Sequence, residues 1–125
     1  MKKAVVTDKA PKAIGPYSQG IIFGDLVFVS GQIPIEPATG ELVNGPIEMQ
    51  ARRVFMNLAA ILEAAGSNLD NVLKATIFLK NIGDFAKINE VYTEYFRETF
   101  PARAVAESSR LPRDASIEID VIAYR

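Results

Sequence analysis

The residues best suited to chemistry lie in the last quarter of the chain, FPARAVAESSRLPRDASIEIDVIAYR, from Phe100 to Arg125. Arg103 carries a planar guanidinium whose five donors form a rigid fork, a match for a carboxylate. Ile117, Ile119, Val121 and Ala123 alternate with Glu118, Asp120, Ile122 and Tyr124, so both acids share one face of a strand. A carboxylate on a face that becomes buried needs a partner or a task in moving protons. The expectation is that Arg103 and Glu118 stand on neighbouring strands joined by a Leu111-Pro112-Arg113-Asp114 turn, where they bind a small acid and aim water at it. The plainer reading pairs Arg103 with Glu107 or Glu118 as a strand ion pair, which stabilises little when exposed.

Three further positions have the right types. Tyr17 follows Gly15-Pro16 in a constrained loop, where a tyrosine packs its ring and offers its hydroxyl to a partner. Ser30-Gly31 ends a strand, and a glycine there lets a ligand approach backbone amides closely. Asn89 is a polar residue at the edge of an otherwise apolar helical stripe.

The elements that must position these residues read as β-β-β-α-β-α-β-β. Ala4 to Val6 is a short edge strand, and Gly20–Phe23 and Leu26–Ser30 form a hairpin about Gly24-Asp25. From Ile47 the period turns helical: Ala51, Val54, Leu58, Ile61, Leu62 and Ala65 make one stripe, and Gly66 stops the helix. Val72–Leu79 is a strand with Leu73, Ala75, Ile77 and Leu79 on one side. Asp84 is placed to cap a second helix with the stripe Phe85, Ile88, Tyr92, Tyr95 and Phe96. Two helices cover one face of an α+β sheet. The other face, expected to carry Val105, Ile122 and Tyr124 among polar groups, suits contact with another subunit.

Composition removes whole classes of mechanism. The chain has 0 Cys and 0 His, which excludes thiol nucleophiles, Ser-His-Asp triads and nearly every zinc site. Catalysis must use carboxylates, Tyr, Lys, Arg, backbone amides or water. Fourteen basic residues against 15 acidic ones give a net charge of −1, so bulk charge attracts neither nucleic acid nor an anionic membrane. The absence of cysteine and of a signal-peptide core fits the cytoplasm.

Taken together the segments resemble the reactive intermediate deaminase (Rid, or YjgF-type) family over residues 1–125, as a single domain. The resemblance rests on Ala10-Pro11, Ile14-Gly15-Pro16-Tyr17-Ser18-Gln19, Ser30-Gly31-Gln32-Ile33-Pro34 and Gly40-Glu41. It continues through Asn57-Leu58, Ile61-Leu62-Glu63-Ala64-Ala65-Gly66, Asp84-Phe85 and Asn89-Glu90-Val91-Tyr92, and ends with Pro101-Ala102-Arg103, Arg110-Leu111-Pro112 and Ile117-Glu118-Ile119. It implies a chorismate-mutase-like fold, with a six-stranded, mostly antiparallel sheet and two helices on one face. It also implies a homotrimer with clefts between subunits. The implied activity is hydrolysis of 2-imino and 2-enamino acids, such as 2-aminoacrylate, 2-iminopropanoate and 2-iminobutanoate, to 2-keto acids and ammonia, with no metal or organic cofactor.

By position the resemblance gives Arg103 the substrate carboxylate, Glu118 the water, Tyr17 a hydroxyl contact and Gly31 a backbone amide. Ser30, Asn89 and Val105 would shape the cleft. Ala104-Val105 replaces the Ser-Cys of many relatives, which removes thiol chemistry, and Asp120 stands where glutamate is common. Two other readings accompany this one: a non-catalytic trimer that binds small keto acids, and a ribonuclease or translation inhibitor. The second is disfavoured by the absence of histidine and of a basic patch.

Overall fold

A computed structural model describes all residues, Met1–Arg125. The strands are β1 (Lys3–Val5), β2 (Gly20–Phe23), β3 (Leu26–Gln32), β4 (Val72–Leu79), β5 (Ala102–Glu107) and β6 (Ile117–Tyr124); the helices are α1 (Ile47–Ala64) and α2 (Phe85–Tyr95). The order matches the β-β-β-α-β-α-β-β reading. All six strands form one sheet in the order β1-β2-β3-β6-β4-β5, antiparallel throughout except for the parallel pair β4–β5. No helix is long and apolar enough to cross a membrane.

That order corrects one expectation. Arg103 and Glu118 do not stand on neighbouring strands, because β4 lies between β5 and β6. The chain crosses over through α2 to lay β5 parallel to β4, a connection that a hairpin cannot make. It then returns by Pro112–Asp114 to insert β6 between β3 and β4.

The core lies between the sheet and the helices. Val54, Leu58, Ile61 and Leu62 of α1 and Ile88 and Val91 of α2 meet Val27, Ile77, Leu79, Ile117 and Ile119. Each such side chain, fully buried, contributes about 1.5–3 kcal/mol relative to exposure. The α1 stripe is as read, widened by Phe55 and the polar Asn57. At its end Ser67 N–H bonds to Leu62 O (2.8 Å) and Gly66 N–H to Glu63 O (3.0 Å), with Gly66 at φ 81°. This is a glycine-dependent terminus, as the sequence predicts.

Three local readings change. Leu73 does not share a side with Ala75, Ile77 and Leu79: a register shift between Val72 and Lys74 buries Val72 and exposes Leu73. Asp84 precedes α2 without a side-chain capping bond. The turn before it is held instead by Asn81 Oδ1, which accepts from Gly83 N–H (2.8 Å), and by Glu107 Oε1, which accepts from Ile82 N–H (2.9 Å). Finally, β3 runs past Ser30 to Gln32. Between Val29↔Val121 and Gln32↔Ile119 the two residues Ser30 and Gly31 oppose Asp120 alone, a bulge that carries the strand through the glycine.

Candidate active site

Strand register assigns each candidate to a face. Ala75 pairs with Arg103 and Ile77 with Val105, and since Ala75 and Ile77 are buried, Arg103 and Val105 point to the helix side. Val105 therefore leaves the open face predicted for it and packs against the core. Phe78 pairs with Glu118 and Thr76 with Asp120, so both acids point away from the helices. Ile122 and Tyr124 join them there, opposite Phe28 and Leu26. Within one chain Arg103 and Glu118 thus lie on opposite faces of the sheet, and the candidates form two half-sites.

The first half-site is built by β5 and α2. Arg103 Nη1 donates to Asn89 Oδ1 at 2.8 Å, and its guanidinium carbon stands 5.2 Å from the Phe85 ring centre and 4.8 Å from that of Tyr92. It pairs with neither Glu107 nor Glu118, as the plainer reading had it. A pocket of about 480 Å³ opens here, lined by Asn89, Tyr92, Thr93, Phe100, Pro101 and Arg103. The Tyr92 hydroxyl is buried and has no hydrogen-bond partner. Burial pushes its pKa up, against a smaller opposing pull from Arg103.

The second half-site is built by the β3 bulge, β6 and the loop before β2. Tyr17, Ser30, Gly31 and Glu118 line a pocket of about 600 Å³. Gly31 is required by contact: a Cβ there would lie 2.0 Å from Glu118 Oε2, so the glutamate carboxylate rests directly on the glycine backbone. Ser30 Oγ donates to Ser18 O (2.5 Å), tying the bulge to the loop that carries Tyr17. Burial, aided by the Asp120 charge, raises the Glu118 pKa above the usual carboxylate range. Burial also raises that of Asp120, opposed by a hydrogen bond from Thr76 and by Lys74. Two half-buried acids on one face thus favour the proton more than exposed acids do.

Sequence reading missed the residues that fix this wall. Gln19 is buried; its Nε2 donates to Thr7 O (3.0 Å) and Pro11 O (2.7 Å), and its Oε1 accepts from Thr7 N–H (2.8 Å). It folds residues 7–19 into one unit and so places Tyr17. Asn57, fully buried in α1, donates to Ile35 O (2.9 Å) and accepts from Arg53 Nε (3.1 Å), anchoring the far wall. Arg113 lines the same pocket, donates to Gly40 O (2.8 Å) and is left-handed at φ 55°. An amide within an apolar helical stripe, as at Asn57, is the one sequence signal that marks such a residue.

Comparison with known proteins places these features in a family. A family model described as endoribonuclease L-PSP matches residues 7–125. A RutC family protein of Pyrococcus abyssi is 56% identical over 124 residues, 99% of this chain and 98% of that protein. The 2-iminobutanoate/2-iminopropanoate deaminase of Escherichia coli (strain K12) is 47% identical over 128 residues, covering 100% of this chain and 99% of that one. Among solved structures, YyfA of Yersinia pestis, a protein of the conserved Rid family, superposes with a TM-score of 0.97 at 48% identity over the full length of both chains. E. coli TdcF with bound serine gives 0.92 at 44% identity, over 98% of each chain. The fold, the segment-by-segment match and these relatives together make this chain a member of the reactive intermediate deaminase (Rid/YjgF-type) family.

Proposed function

We propose that this protein hydrolyses 2-imino and 2-enamino acids to 2-keto acids and ammonia, in sites formed where Arg103 of one copy meets Glu118 of another. The observation that carries this reading is the division of the site. One chain sets Arg103 on the helix side and Glu118 on the open face, and the one arginine in the Glu118 pocket, Arg113, is already engaged by Gly40 O. The E. coli relative's name as an iminobutanoate/iminopropanoate deaminase supports the reaction, and the serine held by TdcF supports a small ligand with a carboxylate and an amino group. The cyclic homotrimer that the family resemblance implies closes three such sites, with each copy offering one half-site to each neighbour.

The chemistry needs little. A protonated imine is already electrophilic, so fixing its carboxylate on Arg103 and placing one water achieves most of the reaction. Glu118 accepts a proton as the water oxygen bonds to the imine carbon, and its negative charge favours the iminium. Glu118 passes that proton to the nitrogen, and as the C–N bond breaks and ammonia leaves it takes the remaining hydroxyl proton, so the carbonyl of the keto acid forms with no change of oxidation state. Tyr17 and the Gly31 amide hold the ligand's polar atoms, and Ser30 keeps the bulge in place. The raised Glu118 pKa makes it a better base than an exposed carboxylate.

The test uses an imine generated in situ by an amino-acid oxidase, with semicarbazide trapping what remains unhydrolysed. Wild type should outcompete the trap, and Arg103→Ala and Glu118→Gln should each fail. Unfolded together and refolded as a mixture, the two variants should recover about a quarter of wild-type activity, because random assortment in a ring leaves that share of sites intact. Failure of the mixture to recover any activity, with mixed oligomers present, refutes the shared site. A wild type that never outcompetes the trap refutes the deaminase reading and leaves the keto-acid-binding alternative. The endoribonuclease description of the family model finds no support in this site, which offers no histidine and one arginine per half.

A further inference from the structure

Phe85, Asn89 and Tyr92 fall at i, i+4 and i+7 on α2, which places them along one face of the helix. All three meet the same guanidinium, that of Arg103 on β5. From sequence the two aromatics read as core and the asparagine as the edge of a stripe. In the structure, Phe85 and Tyr92 hold the guanidinium by their rings while Asn89 Oδ1 takes Nη1. The Nε–H and Nη2–H, which point the same way, make no protein hydrogen bond. The chain shows elsewhere what this edge does: Arg52 uses Nε (3.0 Å) and Nη2 (2.7 Å) to grip both oxygens of Glu94.

We propose that Phe85, Asn89 and Tyr92 are positioning residues that clamp Arg103 so its Nε/Nη2 edge stands ready for the substrate carboxylate. This rests on the deaminase reading above and adds to it a source of pre-organisation. Arginine otherwise loses side-chain freedom when it grips a ligand, a cost that the cradle meets during folding. Asn89 then acts on the ligand through Arg103. Its carbonyl oxygen takes Nη1–H and so fixes the turn of the guanidinium, while its Nδ2–H₂ makes no protein hydrogen bond. The cradle is also selective, since a lysine ammonium in place of the guanidinium has no flat face for the rings and no paired edge for the acid.

The experiment measures 2-oxobutanoate binding by calorimetry and imine hydrolysis by the semicarbazide trap, on Phe85→Leu, Asn89→Ala and the conservative Phe85→Tyr. Because Phe85 is half-buried and touches the core, melting temperatures are recorded beside each value; Asn89→Ala, near the surface, removes no core packing. Phe85→Leu and Asn89→Ala should each raise the 2-oxobutanoate Kd and the KM about two- to fivefold with kcat near wild type, and Phe85→Tyr should restore both. Unchanged Kd and KM in Phe85→Leu and Asn89→Ala overturn the proposal. So does a loss confined to kcat, or a wild type that binds no 2-oxobutanoate. If imine turnover is absent in wild type but the Kd shifts persist, the cradle stands and the deaminase reading falls.

Discussion

Replacing Gly31 by alanine should silence Glu118 without replacing it. Gly31 is not in the left-handed region, so alanine suits its backbone, and the whole perturbation is one methyl group. That methyl would stand 2.0 Å from Glu118 Oε2, 2.9 Å from Cδ and 3.2 Å from Cγ. Rotating the carboxylate alone relieves only the first contact, because the Cδ contact remains below van der Waals distance. Glu118 must therefore turn about a bond nearer its backbone and swing its carboxylate off the bulge. For a half-exposed side chain that rotation costs about 0.5–1.5 kcal/mol, which leaves folding intact. The effect on the reaction is far larger, since losing a positioned general base costs roughly 10²–10⁴ in rate. The trap assay should show Gly31→Ala falling to near the level of Glu118→Gln with a melting temperature within a few degrees of wild type. In the Glu118→Gln background the same methyl should cost little more, the non-additivity expected of two changes to one group. Wild-type kcat in Gly31→Ala, or fully multiplicative losses in the double variant, would falsify the placement of Glu118 on Gly31.

Other outcomes follow from the same contacts. Hydrolysis should rise with pH as Glu118 ionises, with a midpoint above the ordinary glutamate value, and a kcat profile flat across the acidic range excludes Glu118 as the base. Because folding raises the Glu118 pKa, the native state holds the proton longer than the unfolded chain. Its burden on stability is absent below the unfolded pKa, grows as pH rises to the folded one and is then constant. Glu118→Gln should accordingly melt higher than wild type at neutral pH, and the gain should vanish in acid; thermal melts across that range decide it. Asn57→Ala should cost about 1–3 kcal/mol in denaturant unfolding, since Ile35 O loses its donor and Arg53 its acceptor, and a cost near zero shows that water replaces the amide. Arg103→Lys should keep the charge yet bind 2-oxobutanoate more weakly by about tenfold or more, because an ammonium has no paired edge; equal affinity refutes a two-point grip.

What the sequence determined alone is the local pattern and the chemistry available to it. Alternation made β6 one-sided, 3.6-residue periodicity made α1 and α2 amphipathic, and Gly24 and Gly66 ended elements where a left-handed backbone was needed. These features are legible because they repeat within a few residues. The absence of cysteine and histidine confined any mechanism to carboxylates, arginine, tyrosine and water. Ordered matches along the chain were enough to suggest the family.

Only the tertiary structure decided where these residues meet. Arg103 and Glu118 are 15 positions apart in a stretch that reads as two adjoining strands, yet β4 separates them and they face opposite ways. Strand order depends on long-range pairing, which leaves no local trace, and a strand's side chains change face when register shifts by one residue. The bulge at Ser30-Gly31 and the shift at Leu73 have the same origin. So does the dual use of Phe85 and Tyr92: helical spacing shows that they share a face, but not that a guanidinium from another strand lies against it.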